Sequence, residues 1–120
     1  MVYKDFTQMS VWQKAKTLLV SIYSVSKQFP DDEKFSLTSD IRRAANSVVH
    51  NIAEGYGRFE RMDKSRFYKF SRGSAYEVIS QLIVSTELKY LKDSEVNHII
   101  DSYKEVITEL DLLIKTVENK

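Results

Sequence analysis

Glycine and proline, the residues that most often interrupt regular structure, are scarce in this chain. Its 120 residues include three glycines and one proline. Such scarcity favours a few long elements joined by few turns. Between these residues the apolar side chains recur at steps of three and four, as one face of a helix requires, and no segment shows the alternation of a strand. The pattern predicts an all-α protein.

Two amphipathic helices are predicted in the first half of the chain. The first runs from about Val11 to Gln28, with Ser10 as its N-cap, and it stops before Pro30 because proline lacks a backbone N–H. The second follows a cap at Ser36. We expect Gly55 to end it in the left-handed conformation that glycine adopts at little cost.

Two further helices are predicted in the second half. The third and longest covers about Lys64 to Leu91 after a cap at Asp63, and the fourth begins after Asp93 or Ser94. The inner face of the third helix should carry apolar residues at helical spacing: Phe67, Ala75, Val78, Ile79 and Leu82. Four such helices with short connections predict one domain over residues 1–120, an antiparallel up-down-up-down four-helix bundle.

Three apolar residues late in the third helix fall away from its inner face. They are Ile83, Val84 and Tyr90. A helix with apolar residues on more than one side usually buries more than one side. In so small a domain a second subunit supplies that burial most easily, so these residues are predicted to form an oligomer interface.

The composition argues against an enzyme, a metal site and a membrane protein. Cysteine is absent and histidine occurs twice. Glu95 and His98 form one Glu-x-x-His motif, but a di-iron bundle needs this motif on two helices together with further carboxylates. No run of about 18 apolar residues occurs, so no membrane-spanning helix is expected. We therefore predict no catalytic residues, no cofactor and no metal.

Charge is distributed unevenly along the chain. Residues 42–72 include eight basic and three acidic residues, whereas residues 93–120 include seven acidic and three basic ones. Between Arg58 and Arg72 the basic side chains alternate with aromatic ones. This composition is suited to phosphate contacts and base stacking. The alternatives are a solvated helix face, or charge pairing between subunits. The candidate nucleic-acid-binding residues are Arg58, Arg61, Arg66, Lys69 and Arg72.

The run over residues 42–55 is rich in small side chains, which allow a neighbouring helix to approach closely. Its asparagines, Asn46 and Asn51, are placed to bond to the backbone of adjoining loops. We interpret this run as structural.

Four stretches together resemble the four-helix bundle proteins of the 23S rRNA intervening-sequence family. They are Phe29-Pro30-Asp31-Asp32-Glu33, Ile41-Arg42-Arg43-Ala44-Ala45-Asn46-Ser47, the run from Asn51 to Arg58 with its Asn-Ile-Ala-Glu-Gly core, and Arg72-Gly73-Ser74-Ala75-Tyr76-Glu77. The resemblance covers about Phe6 to Leu113. Asp40 and Arg72 depart from it, since the family commonly has glutamine and alanine there.

The resemblance implies a bacterial cytosolic protein that assembles as a homopentamer and has no established catalytic residues. It also implies kinship with the accessory variability proteins of diversity-generating retroelements, which work with a reverse transcriptase and bind nucleic acid. Two functions follow as hypotheses. One is a non-enzymatic nucleic-acid-binding scaffold, with RNA as the favoured ligand, and the other is a protein-interaction module such as a reverse-transcriptase accessory subunit.

Overall fold

A computed structural model describes residues 4–119, which fold into four long helices without any strand. The helices are α1 (Ser10–Ser26), α2 (Leu37–Gly57), α3 (Arg61–Glu87) and α4 (Asp93–Glu118), and short 3₁₀ turns lie at Phe6–Gln8 and Asp31–Glu33. The prediction of an all-α four-helix protein is confirmed. The ends of the predicted domain, residues 1–3 and 120, lie outside the described residues.

The helices enclose one apolar core. Helix α1 packs against α2 and α4, and α3 packs against the same two helices. The largest fully buried side chains come from all four helices: Ile22, Ile41, Ile52, Leu82, Tyr103 and Leu110. Contacts of α4 with α1 and with the residues just after α1 run in opposite sequence order, because Lys14 meets Glu109 while Gln28 meets Glu95. Such pairing is expected of antiparallel neighbours, and the up-down order of the whole bundle stays a prediction.

Ser36 precedes α2 as predicted, but the predicted N-caps of the other three helices differ from the observed ones. Helix α1 is preceded by Met9 and α3 by Glu60, and neither side chain makes a capping hydrogen bond. Asp63 was expected to cap α3 but lies inside its first turn, where its carboxylate binds Arg66 instead. Helix α4 follows Lys92, whose backbone N–H donates to the carboxylate of Glu95.

The expectation that Gly55 ends α2 in the left-handed conformation is wrong. Helix α2 continues to Gly57, and no described glycine has a positive φ. Gly55 instead allows a close approach, because a Cβ there would lie 2.6 Å from the Cε1 of Tyr68. Tyr68 is buried, whereas Phe67, which was predicted for the inner face, is only partly buried.

Helix α3 also ends earlier than predicted. Its last residue is Glu87, and the chain then turns at Lys89, whose φ is 63°. Tyr90 therefore lies in the turn after the helix. The helical spacing of the sequence does not predict the direction in which its side chain points.

Candidate nucleic-acid interface

The five candidate basic residues lie at the α2–α3 junction and along the first half of α3. Arg58 directly follows α2, and Arg61 is the first residue of α3. Arg66, Lys69 and Arg72 follow at three-residue steps, which keeps them on one side of the helix. Their side chains are 53%, 55% and 40% exposed. The five residues therefore follow one another over residues 58–72, at the end of α2 and in the first half of α3.

Four of the five candidates are ion-paired within the chain. Lys69 lies 2.7 Å from the carboxylate of Glu118, and Arg72 lies 2.5 Å from that of Asp111, so both pairs join α3 to α4. The other two pairs are local: Arg66 with Asp63 at 2.9 Å, and Arg58 with Glu54 at 3.0 Å. The acidic end of the chain therefore meets the basic segment inside one subunit.

Arg61 differs from the other four candidates. Its side chain is exposed, and within residues 4–119 it makes no ion pair or hydrogen bond. Its charge is already free to meet an external anion.

The ion pairs shift the protonation of one acidic partner. Hydrogen bonds from Lys69 and Ser65 lower the pKa of Glu118. The carboxylate is therefore charged at neutral pH and competes with any anion for Lys69. Pairs between exposed side chains are weak, because water screens them and ordering two long side chains has an entropic cost. A phosphate can therefore replace such a carboxylate.

Arginine and phenylalanine side chains alternate in a stack beside these pairs. The Cζ of Arg58 lies 4.4 Å from the ring centre of Phe67, and the Cζ of Arg66 lies 4.7 Å from the same ring. Arg66 also lies 5.7 Å from Phe70, which is 48% exposed. We call Arg58, Phe67, Arg66 and Phe70 the arginine–phenylalanine stack.

Phe59 lies directly after Arg58 and is 98% exposed. Its ring contacts no other ring or cation among the described residues. In the sequence, Phe59 is one of the aromatic residues that alternate with basic ones between Arg58 and Arg72. Its position in the short connection between Gly57 and Arg61 was the available signal that it would be exposed.

The remaining basic residues of the segment serve the fold. Arg43 pairs with Glu77 of α3. Arg42 donates to the Ser26 hydroxyl at 2.9 Å and to a carbonyl near the end of α1. Lys64 donates to the Tyr56 carbonyl at 2.7 Å. The net charge of residues 42–72 therefore overstates the charge available to a ligand.

The small-residue run packs α2 against α3, in keeping with its structural interpretation. The hydroxyls of Ser47 and Ser74 are 2.8 Å apart, and the Ser71 hydroxyl donates to the Val48 carbonyl at 2.7 Å. Asn51 bonds to Ser47, one turn earlier in α2, and not to a loop.

Asn46 likewise bonds within α2, donating to the Arg42 carbonyl, and also to the Tyr23 hydroxyl of α1. The expectation that these asparagines bond to adjoining loops is therefore wrong.

The three residues predicted for an oligomer interface differ in their exposure and contacts within the chain. Ile83 and Val84 are 49% and 44% exposed on α3, and Leu88 beside them is similarly exposed. Tyr90 instead donates its hydroxyl hydrogen to Glu33 at 2.7 Å and packs against Phe29. Ile83, Val84 and Leu88 are therefore exposed apolar residues near the end of α3. Leu88 was not among the residues predicted from the sequence.

No group of three or more potential metal ligands occurs within residues 4–119. Glu95 of the Glu-x-x-His motif accepts hydrogen bonds from Gln28 and the Lys92 backbone, and His98 is exposed. None of the described helices has the length and apolar character needed to cross a membrane.

The fold and its charged face define an all-helical bundle protein in which paired basic side chains lie on one long helix. The sequence profile described as 23S rRNA-intervening sequence protein matches residues 7–111. The chain therefore belongs to that family, as its motifs had suggested.

One solved structure shows the same fold. It is the crystal structure of a protein with unknown function from the S23 ribosomal protein family of Bacteroides thetaiotaomicron VPI-5482. The two chains superpose with a TM-score of 0.81 at 23% sequence identity, over 88% of this chain and 98% of the other. No curated protein matches the chain.

Proposed function

We propose that this protein is a non-enzymatic nucleic-acid-binding scaffold, that its ligand is RNA, and that it works in the bacterial cytosol as a homo-oligomer, with five copies as the expected number. The observation that carries the proposal is the row of accessible cations at Arg61, Arg66, Lys69 and Arg72. Membership of a family named for an rRNA insertion supports RNA as the ligand.

The cations suit a phosphate backbone better than a small anion. They are spread along the first half of α3, over about three turns or roughly 16 Å of helix. Separate charges at such intervals match a polymer with regularly spaced phosphates. Arginine adds a planar set of donors that can bind a phosphate in bidentate fashion.

Arg61→Ala is the sharpest single test, because Arg61 makes no ion pair or hydrogen bond within residues 4–119 whose loss could disturb the fold. We expect weaker RNA binding, with a log–log salt slope reduced by about 0.7 for the lost phosphate contact to a single strand. Lys104→Ala removes an exposed charge from α4 and serves as the control. Equal affinity and equal slope for the two variants would remove Arg61 from the proposed site.

The second candidate is a protein-interaction module, such as an accessory subunit of a reverse transcriptase. The exposed apolar residues Ile83, Val84 and Leu88 favour it, since contiguous apolar surface marks protein contacts. Co-purification of the tagged protein with a reverse transcriptase from its host, lost on Ile83→Glu, would support this function. Recovery of RNA without any protein would oppose it.

A further inference from the structure

The exposed phenylalanines beside the basic row bear on the kind of nucleic acid that fits. Phe59 is 98% exposed and Phe70 is 48% exposed. Phe70 ends the arginine–phenylalanine stack, whereas Phe59 directly follows its first arginine in the chain. Leaving such rings in water is unfavourable. Phe59 contacts no other ring or cation among the described residues, and Phe67 and Arg66 cover Phe70 only in part.

We propose that the site takes single-stranded nucleic acid, with unpaired bases stacked on Phe59 and Phe70 while the neighbouring cations hold the phosphates. This inference rests on the proposed function and specifies its ligand. A ring can stack only on a base whose face is open, and in a duplex the base faces are covered by their neighbours. A-form RNA duplexes also have a deep, narrow major groove that side chains cannot read.

The arrangement of the stack supports this choice of occupant. Arg66 lies beside both Phe67 and Phe70, with its Cζ at 4.7 Å and 5.7 Å from their ring centres, so positive charge adjoins the aromatic surface. A single strand presents the complementary pattern, in which apolar base faces alternate with charged phosphates. The Phe67 and Phe70 rings meet edge to face at 5.6 Å, which helps to hold Phe70 in place before a base arrives.

The test measures binding of four probes at several salt concentrations. They are a 12-nucleotide RNA, its duplex, a base-free ribose-phosphate chain of equal length, and anionic lipid vesicles. We expect the single strand to bind at least about tenfold more tightly than the duplex or the base-free chain, because stacking adds to phosphate contact.

Phe59→Ala and Phe70→Ala should each weaken single-strand binding about fivefold or more and leave the salt slope unchanged. Phe35→Ala is the matched control, because Phe35 is 88% exposed and lies beside a lysine, Lys34, but belongs to another loop. Phe59→Leu and Phe70→Leu keep an apolar side chain without a ring, and they should bind as weakly as the alanine variants.

The outcomes separate the two proposals. Absence of binding to every nucleic-acid probe, even at low salt, would overturn the proposed function itself. Equal binding of single strand, duplex and base-free chain, with Phe59→Ala and Phe70→Ala behaving like Phe35→Ala, would leave nucleic-acid binding intact and overturn the stacking inference. Phenylalanine-dependent binding to the vesicles alone would assign the surface to lipid and overturn both.

Discussion

The Nε atom of Arg72 donates a 2.5 Å hydrogen bond to the Oδ1 of Asp111, joining α3 to α4. Lys69 is joined to Glu118 of the same helix in a similar way. The acidic helix α4 therefore occupies cations from which phosphate contacts are expected. In the proposed function, RNA and α4 compete for the same side chains.

Asp111→Asn should strengthen RNA binding, since it removes the carboxylate that competes for Arg72. We expect a gain of up to about fivefold and a steeper salt slope, with a loss of folding stability below about 1 kcal/mol, as for other exposed pairs. Binding titrations at three salt concentrations measure both. Asp101→Asn controls for net charge, because Asp101 is an exposed acid of α4 that makes no ion pair with any residue from 4 to 119. Equal gains in the two variants would mean that the overall charge, and not the freed arginine, matters.

Gly55→Ala and Gly73→Ala should change stability in opposite directions. A Cβ at Gly55 would lie 2.6 Å from the buried Tyr68 ring, whereas a Cβ at Gly73 meets nothing within 4 Å. We expect Gly55→Ala to destabilise the protein by about 1–3 kcal/mol through overpacking. Gly73→Ala should stabilise the helix by about 0.5–1 kcal/mol. Urea unfolding measures both, and a neutral Gly55→Ala would show that Tyr68 moves away without difficulty.

Stability should fall in acid because three carboxylates have lowered pKa values. The pKa of Glu33 is lowered by hydrogen bonds from the Tyr90 hydroxyl and the Leu37 backbone. Hydrogen bonds from the Lys92 backbone and Gln28 lower the pKa of Glu95. Hydrogen bonds from Lys69 and Ser65 lower that of Glu118. A lowered folded pKa stabilises the protein above the ordinary value of 4.5, and that contribution disappears as the pH falls below it.

Urea midpoints between pH 7 and pH 3 measure this loss. The triple variant Glu33→Gln, Glu95→Gln, Glu118→Gln should be less stable than the wild type at pH 7 and should lose less stability on acidification. A variant with the same acid dependence as the wild type would place the titrating groups elsewhere.

Assembly should depend on the exposed apolar residues of α3. We expect the wild type to exceed the 14.0 kDa of one chain in light scattering at micromolar concentration. Ile83→Glu combined with Val84→Glu should reduce it to a helical monomer, because charge opposes burial. Val20→Glu alters an exposed apolar residue of α1 and should leave the assembly unchanged. A wild-type mass of 14.0 kDa would contradict the proposed oligomer.

The number and order of the helices could be predicted from sequence because the core repeats at helical spacing over long segments. Ala75, Val78, Ile79 and Leu82 are buried as expected. The helix ends were harder to predict. Ser36 does precede α2, but its side chain makes no capping bond, and the Leu37 N–H is bound by Glu33 instead. Several side chains can serve one terminal N–H, and their competition depends on tertiary structure.

The composition of the candidate site could be read from the sequence, but its electrostatics could not. Arg72 and Asp111 are 39 residues apart and meet only because α3 packs on α4. A count of local charge therefore could not show that the fold pairs these cations with acids of α4. The contacts of Tyr90 could not be predicted for a similar reason, since its partners Phe29 and Glu33 belong to a distant loop.

The measurement that tests nucleic-acid binding most directly is a salt titration of RNA affinity. It compares the wild type with a variant in which all five candidate residues are replaced by alanine: Arg58, Arg61, Arg66, Lys69 and Arg72. A control variant loses five exposed lysines elsewhere: Lys4, Lys16, Lys27, Lys104 and Lys115. We predict tight, steeply salt-dependent binding by the wild type and the control. The five-alanine variant should show a far weaker and flatter dependence, with its helical content retained. Indistinguishable salt slopes for all three proteins, or no binding by the wild type at low salt, would contradict the proposed RNA-binding site.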